Sequence, residues 1–196
     1  MKVHWIPLGA GSRVVPCCGR AYEAICARRD HRPSAPLVHA ALTVEHAGQL
    51  WSIEQAPAWG TGSAGPGVVV RGAVGLAWLG RSPLFGYEVR CRPGGTIPDL
   101  AQAVAHRVIP TDPTRTARLI ALAPEVPAHT WGRDEMGAGD MWNSNSVIAW
   151  LLARSGHDVD AAGAPPGSRA PGWQAGLVAA GRPDEGPRPR WQRPQP

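Results

Sequence analysis

Residues 37–56 carry the clearest two-residue rhythm in the chain. Two runs, Leu37 to His46 and Gln49 to Ala56, flank Ala47-Gly48 and predict a β-hairpin. A two-residue turn at 47 and 48 sets Leu42 opposite Ile53 and Val44 opposite Trp51, which makes one face apolar. The other face carries His39, Ala41 and Thr43 on the first strand, and Ser52, Glu54 and Ala56 on the second. His39 and Glu54 then become diagonal neighbours on that face, about 7–8 Å apart between backbones. The small residues beside His39 suit close packing of this face against a helix.

Similar runs predict strands over 3–8, 68–71 and 84–92. In the last, Phe85, Tyr87, Val89 and Cys91 share one face and Glu88, Arg90 and Arg92 the other, the mark of a half-buried antiparallel strand. A further strand is expected over 173–179. Helical spacing appears over 19–29, with apolar positions 21, 22, 25 and 26, and over 141–154, with 147, 148, 151 and 152. Asp112 and Pro113 open a helix that runs to about Ala123, and 98–105 reads as a short helix. Residues 57–67, 124–139 and 160–172 read as loops, and the glycine-punctuated 72–80 is open to either reading. The expected class is α+β, a small antiparallel sheet packed against helices.

Composition modifies this picture in two ways. Gly (24) and Pro (21) are nearly a quarter of 196 residues, so many turns and long loops are expected around a folded body of residues 1–180. From Gly181 the chain is Pro- and Arg-rich and is expected to be a disordered tail with polyproline character. The net charge of +5 is scattered rather than gathered in a stripe, so nucleic acid is not an expected partner. No apolar run approaches the length of a membrane span. Cys17, Cys18, Cys26 and Cys91 show neither disulfide-ladder nor zinc-ligand spacing, and a reduced cytoplasmic setting is expected. No cofactor is implied. A metal site from His39, His46 and Glu45 or Glu54 is the minor alternative use of those residues.

The candidate chemistry lies at the start of the 141–154 helix. Asn143-Ser144-Asn145-Ser146 runs directly into Val147-Ile148. Ser144 lies three and four residues before them and shares their inward face, in the first turn. A hydroxyl held there is either part of a cap or a nucleophile. Asn143 is a strong N-cap residue.

A strand opening His39-Ala40-Ala41-Leu42-Thr43-Val44, then Ile53-Glu54, then the Asn143-Ser144-Asn145-Ser146-Val147 helix: this order resembles the circularly permuted branch of the NlpC-type papain-like superfamily, which includes lecithin retinol acyltransferase-like proteins and the PPPDE peptidases. The resemblance covers about 36–155. It implies a permuted papain-like core, with His on the first core strand, a polar residue on the next and the nucleophile last. Those families use Cys where this chain has Ser144. A thiol near pH 8.5 is readily made a thiolate, whereas a serine needs a base and an orienting group. The resemblance therefore implies a hydrolase or acyltransferase acting on an amide or ester, with Ser144 attacking, His39 as base and Glu54 orienting it. The 144–146 amides would form an oxyanion site. The alternative is a catalytically inactive binding protein that has lost its nucleophilic Cys. Trp142, Asn143, Asn145, Trp131 and Trp59 are expected to bind a small-molecule or peptide substrate, with Arg133, Asp134 and Glu135 as a mobile rim. The chain also resembles an actinobacterial group sharing the Trp-Asn-Ser-Asn-Ser helix, a kinship that implies no activity.

Overall fold

A computed structural model describes residues 1–9, 14–58 and 66–181. Its frame is a six-stranded sheet of β1 (Lys2–Pro7), β2 (Val38–His46), β3 (Gln49–Pro57), β4 (Val68–Ala73), β5 (Gly86–Pro93) and β6 (Ala105–Val108). The spatial order is β4-β5-β3-β2-β1-β6 and every pair is antiparallel. Four α-helices accompany it: α1 (Val14–Arg29), α2 (Pro113–Leu122), α3 (Ser144–Arg154) and α4 (Trp173–Ala180). The class is α+β.

The hairpin has the register its pattern predicts. Leu42 pairs with Ile53 and Val44 with Trp51. Ala47 and Gly48 both take positive φ, +50° and +75°. That is a primed two-residue turn, the kind whose twist matches the strands it joins. The apolar face of the sheet, with Val3, Trp5, Val38, Ala40, Leu42, Val44, Ile53 and Val89, forms one cluster with Val147, Ile148 and Leu151 of α3. Every residue of α3 from Ser144 to Leu152 is buried, because the sheet takes one side of it and α4 and α2 take others. The helix-covered face is therefore the Leu42/Val44 face. The small-residue face with His39, expected to take a helix, points the other way. There Ala41 joins Ile6 and Ile97 in a minor cluster.

The second face is held largely by charge. Glu88 is completely buried and bonds Arg71 at 2.8 Å and Arg90 at 3.1 Å. Two guanidinium groups are what make a buried carboxylate tolerable. A separate clamp fixes α1: Glu23 bonds Arg32 at 2.5 Å, Arg169 at 2.7 Å and the amide of Ala35 at 2.9 Å. Arg32 above all, aided by Ala35 and Arg169, lowers the Glu23 pKa to about 2.

Two elements differ from expectation. Residues 173–180 form α4, not a strand. An apolar run this short does not separate the two by periodicity, and the small residues decide it. Gly176 lies so close to α3 that a Cβ there would sit 2.3 Å from the Ser146 carbonyl oxygen. Of the expected helix over 98–105, only a 3-10 turn at Leu100–Gln102 forms, and β6 follows at the sheet edge. The alternating burial of β6 is not matched by its sequence, since Val108 points outward at 66% exposure. Helix α1 also begins five residues before the expected start at Gly19, and α3 starts at Ser144 rather than Met141. Phe85 belongs to a 3-10 turn, Pro83–Phe85, rather than to β5. Among the described residues no helix is long and apolar enough to cross a membrane. The expected tail beyond Gly181 lies outside the described residues.

Candidate functional site

The first turn of α3 is tied to its surroundings by three of its four polar residues. Asn143 is the N-cap: its side-chain oxygen accepts from the Asn145 amide at 2.8 Å and from the Ser146 amide, and its Nδ2 donates to Pro171 O at 2.8 Å. Ser146 Oγ accepts from the Asn143 amide at 3.0 Å, completing a capping box, and donates to Gly172 O at 2.7 Å. Asn145 reaches the sheet. Its Oδ1 accepts from Ala40 N at 2.7 Å, and its Nδ2 donates to Val38 O at 3.0 Å and Pro171 O at 2.7 Å.

These bonds explain a break in the sheet. Ladder pairing between β2 and β3 stops at Leu42 and Ile53. Beyond that point the free edge of β2 is taken by Asn145 and by the 169 segment, where Val38 N donates to Arg169 O and Arg169 N to Pro36 O, both at 2.9 Å. Strand β3 instead continues along β5 to Pro57. The two strands part beyond Leu42 and Ile53, with the first turn of α3 against the β2 side.

Of the proposed triad, His39 and Glu54 share a sheet face, as the register requires. Neither bonds the other. His39 is partly buried and its imidazole makes no hydrogen bond among the described residues; burial lowers its pKa, and Asp99 opposes that shift. Glu54 is 7% exposed, and burial raises its pKa against the pull of Arg90 and Arg92. Its ion-pair partner is Arg90, at 3.9 Å. Ser144, 5% exposed, belongs to the helix that covers the opposite face, the one carrying Val38, Ala40 and Leu42. Alternation along β2 sends His39 away from it. The structure brings together Asn143, Asn145, Ser146 and the β2 edge; it brings none of Ser144, His39 and Glu54 into hydrogen-bond contact.

The other candidates serve mainly as structure. Trp142 is fully buried, with its ring edge-on to His129 at 4.8 Å between centroids. Trp131 is partly buried and edge-on to Tyr87 at 5.9 Å. Trp59 lies outside the described residues. The expected mobile rim is a braced loop: Asp134 accepts from the amides of Ala138 at 2.8 Å and Gly139 at 2.9 Å, bonds that hold its carboxyl below the usual range. Glu135 meets His129 at 3.0 Å, while Arg133 is exposed.

Two features carry no signal in the sequence. Gln55 is 7% exposed, yet neither of its side-chain polar atoms has a hydrogen-bond partner, and Trp142 Nε1 is likewise buried without one. Position 55 carries no motif, and its burial comes from strands far along the chain. The second feature is a groove of about 640 Å³ at the far end of the sheet, lined by Lys2, His4, Thr43, His46, Thr111 and Asp112 among others. Within it His4 Nε2 bonds Thr43 Oγ1 at 2.8 Å. Among the described residues no three His, Cys, Asp or Glu side chains group as metal ligands, so His39, His46, Glu45 and Glu54 do not assemble one. No family model matches the chain, and no curated protein or solved structure matches it.

Proposed function

We propose that this chain is a non-catalytic binding protein of permuted papain-like type, taking a small molecule or peptide beside the first turn of α3, where β2 and β3 part. The observation that carries this reading is the use made of the Asn-Ser-Asn-Ser segment. Asn143, Asn145 and Ser146 fasten α3 to β2 and to 171–172, while His39 makes no bond to Ser144. A serine without a base in reach is a weak nucleophile. The chain order of His strand, polar strand and Asn-Ser helix supports the family assignment. The free thiols of Cys26 and Cys91 support a reduced, cytoplasmic setting.

A second reading, a Ser144-dependent hydrolase or acyltransferase with His39 and Glu54, is favoured by one observation. Of the four residues Asn143 to Ser146, Ser144 is the one whose side chain has no hydrogen bond among the described residues, and it sits at a helix N-terminus. The two readings are separated by a fluorophosphonate probe applied to folded wild type and Ser144→Ala. The binding reading expects equal, background labelling of both. Labelling that disappears in Ser144→Ala would establish the hydrolase.

A further inference from the structure

The C-terminal end of α3 carries a hydrogen-bonded chain that runs to the groove at the far end of the sheet. Ser155 caps the helix, and its Oγ donates to Leu151 O at 2.5 Å. With its proton committed there, it accepts from His157 Nδ1 at 2.7 Å. That bond fixes the tautomer: Nδ1 holds the proton and Nε2 presents a lone pair. Thr111 Oγ1 lies 2.8 Å from Nε2 and donates to it. Thr116 Oγ1, 3.1 Å from Thr111 Oγ1, is then the donor in that contact. A competing acceptor for the Thr111 proton, Asp112 O, is farther away at 3.4 Å.

Burial differs from link to link. Ser155 and His157 are 1% and 6% exposed, whereas Thr111 is exposed and lines the groove beside Lys2, Thr43 and Thr116. A surface hydroxyl is thus joined to a buried base, and the base to a third group that orients it. This is the arrangement that makes a hydroxyl nucleophilic. Burial lowers the His157 pKa; Arg115 adds to the shift, Asp112 opposes it, and the Met1 amine adds a last increment. The imidazole is therefore in its basic form at neutral pH. The other hydroxyl–imidazole pair in the groove lacks these features. Thr43 is buried, and His4, bonded to it through Nε2, has no partner at Nδ1 among the described residues to set its tautomer. The group orienting His157 is a hydroxyl, which supports an imidazolium less than a carboxylate does. The arrangement therefore suits an acyl donor whose leaving group departs easily. A thioester fits, since its thiol ionises near pH ~8.5.

We propose that Thr111 is an acyl-acceptor site, taking an acyl group from a small thioester in the groove with His157 as the base. Thr111 Oγ1 bonds the carbonyl carbon and its proton passes to His157 Nε2. The C–S bond then breaks and the departing thiolate takes that proton. The products are an oxygen ester on Thr111 and a free thiol. Ser155 lies about 16 Å along α3 from Ser144, so this site goes beyond the binding reading and does not rest on it.

The probe is S-acetyl-N-acetylcysteamine, incubated with the full chain. Mild neutral hydroxylamine then strips acetyl from cysteines and spares oxygen esters, and peptide mass spectrometry locates what remains. Acetyl on Thr111 is expected, with none on buried Thr43 or on exposed Thr114. The rate is expected to be level above about pH 6.5 and to fall below it as His157 takes a proton. Thr111→Ser is expected to be acetylated with the same pH profile. His157→Gln is expected to be slower by about a hundredfold, with its circular dichroism reporting that it folds. Should it not fold, the pH profiles of wild type and Thr111→Ser carry the test. An unmodified Thr111, or one acetylated no faster than Thr114, would overturn the inference. So would a rate that climbs with pH without levelling, or an undiminished rate in His157→Gln. Acetyl on Ser144 in place of Thr111 would overturn it and support the hydrolase reading instead.

Discussion

The two ends of α3 are fastened by different chemistry. At the N-terminal end the bonds run through Asn143, Asn145 and Ser146 to strand and loop carbonyls and amides, and none of those groups titrates. At the C-terminal end the fastening runs through an imidazole. Ser155 Oγ donates to Leu151 O at 2.5 Å, so it accepts from His157 Nδ1 at 2.7 Å; His157 Nε2 is then the acceptor for the Thr111 hydroxyl at 2.8 Å. His157 is 6% exposed. Burial lowers its pKa, with Arg115 adding to the effect and Asp112 opposing it. One end of the helix is thus held to β2 by groups indifferent to pH, and the other to the start of α2 by a group whose burial favours its neutral form.

The sharpest break of this contrast is Asn145→Ala. It strips partners from Ala40 N and Val38 O in a buried site, and a loss of about 3–5 kcal/mol in urea-unfolding stability is expected, independent of pH between 5 and 8 as a rough working range. A loss below about 1 kcal/mol would mean that water replaces the side chain freely. Next is Gly176→Ala. Alanine ordinarily favours a helix over glycine, but here the new methyl would meet the Ser146 carbonyl. A loss of about 2 kcal/mol is expected by thermal denaturation, and a gain would refute the close packing of α4 on α3.

The pH dependence comes third. The folded His157 pKa lies below its ordinary value near 6.5, so the unfolded chain binds the proton more readily. The contribution of His157 is complete above about pH 6.5 and declines as pH falls below it toward the folded value. His4 and His39 shift the same way, so the wild-type slope is shared. His157→Gln is expected to flatten that slope in part, whereas Asn145→Ala leaves it unchanged. An identical slope in His157→Gln and wild type would remove His157 from the account. The smallest effect is expected from Thr111→Val, which deletes one hydrogen bond of the C-terminal fastening at about 1 kcal/mol. NMR titration of His157 in that variant would read its altered imidazole pKa.

Much of the frame was legible because local rules act alone there. The hairpin register follows from alternation around Ala47-Gly48, and Asp112-Pro113 caps α2 as expected, with the Asp112 side chain accepting from Arg115 N at 2.9 Å. Asn143 as the α3 cap was equally readable. What escaped notice depends on distant partners. Trp173 to Ala180 is a helix because α3 supplies a surface for Gly176. β6 exists because β1 offers its edge to a polar segment. The candidate triad shows the same limit: register placed His39 and Glu54 on one face, but only the packing of α3 decides which face meets Ser144. The unpartnered Gln55 carboxamide was likewise unreadable, since its burial comes from elements far along the chain.

The hold of Asn145 on β2 has a consequence for how the chain is made. Asn145 lies 105 and 107 positions from Ala40 and Val38, the residues it bonds. During synthesis β2 and β3 can zip at their turn as soon as both emerge, whereas the Val38–Ala40 edge stays uncovered until α3 leaves the ribosome. Non-local closures of this kind are slow, and an open strand edge invites pairing with other chains. Slowing translation between β3 and α3 is therefore expected to lower soluble yield, and Asn145→Ala, which leaves the edge open at Ala40, to lower it further.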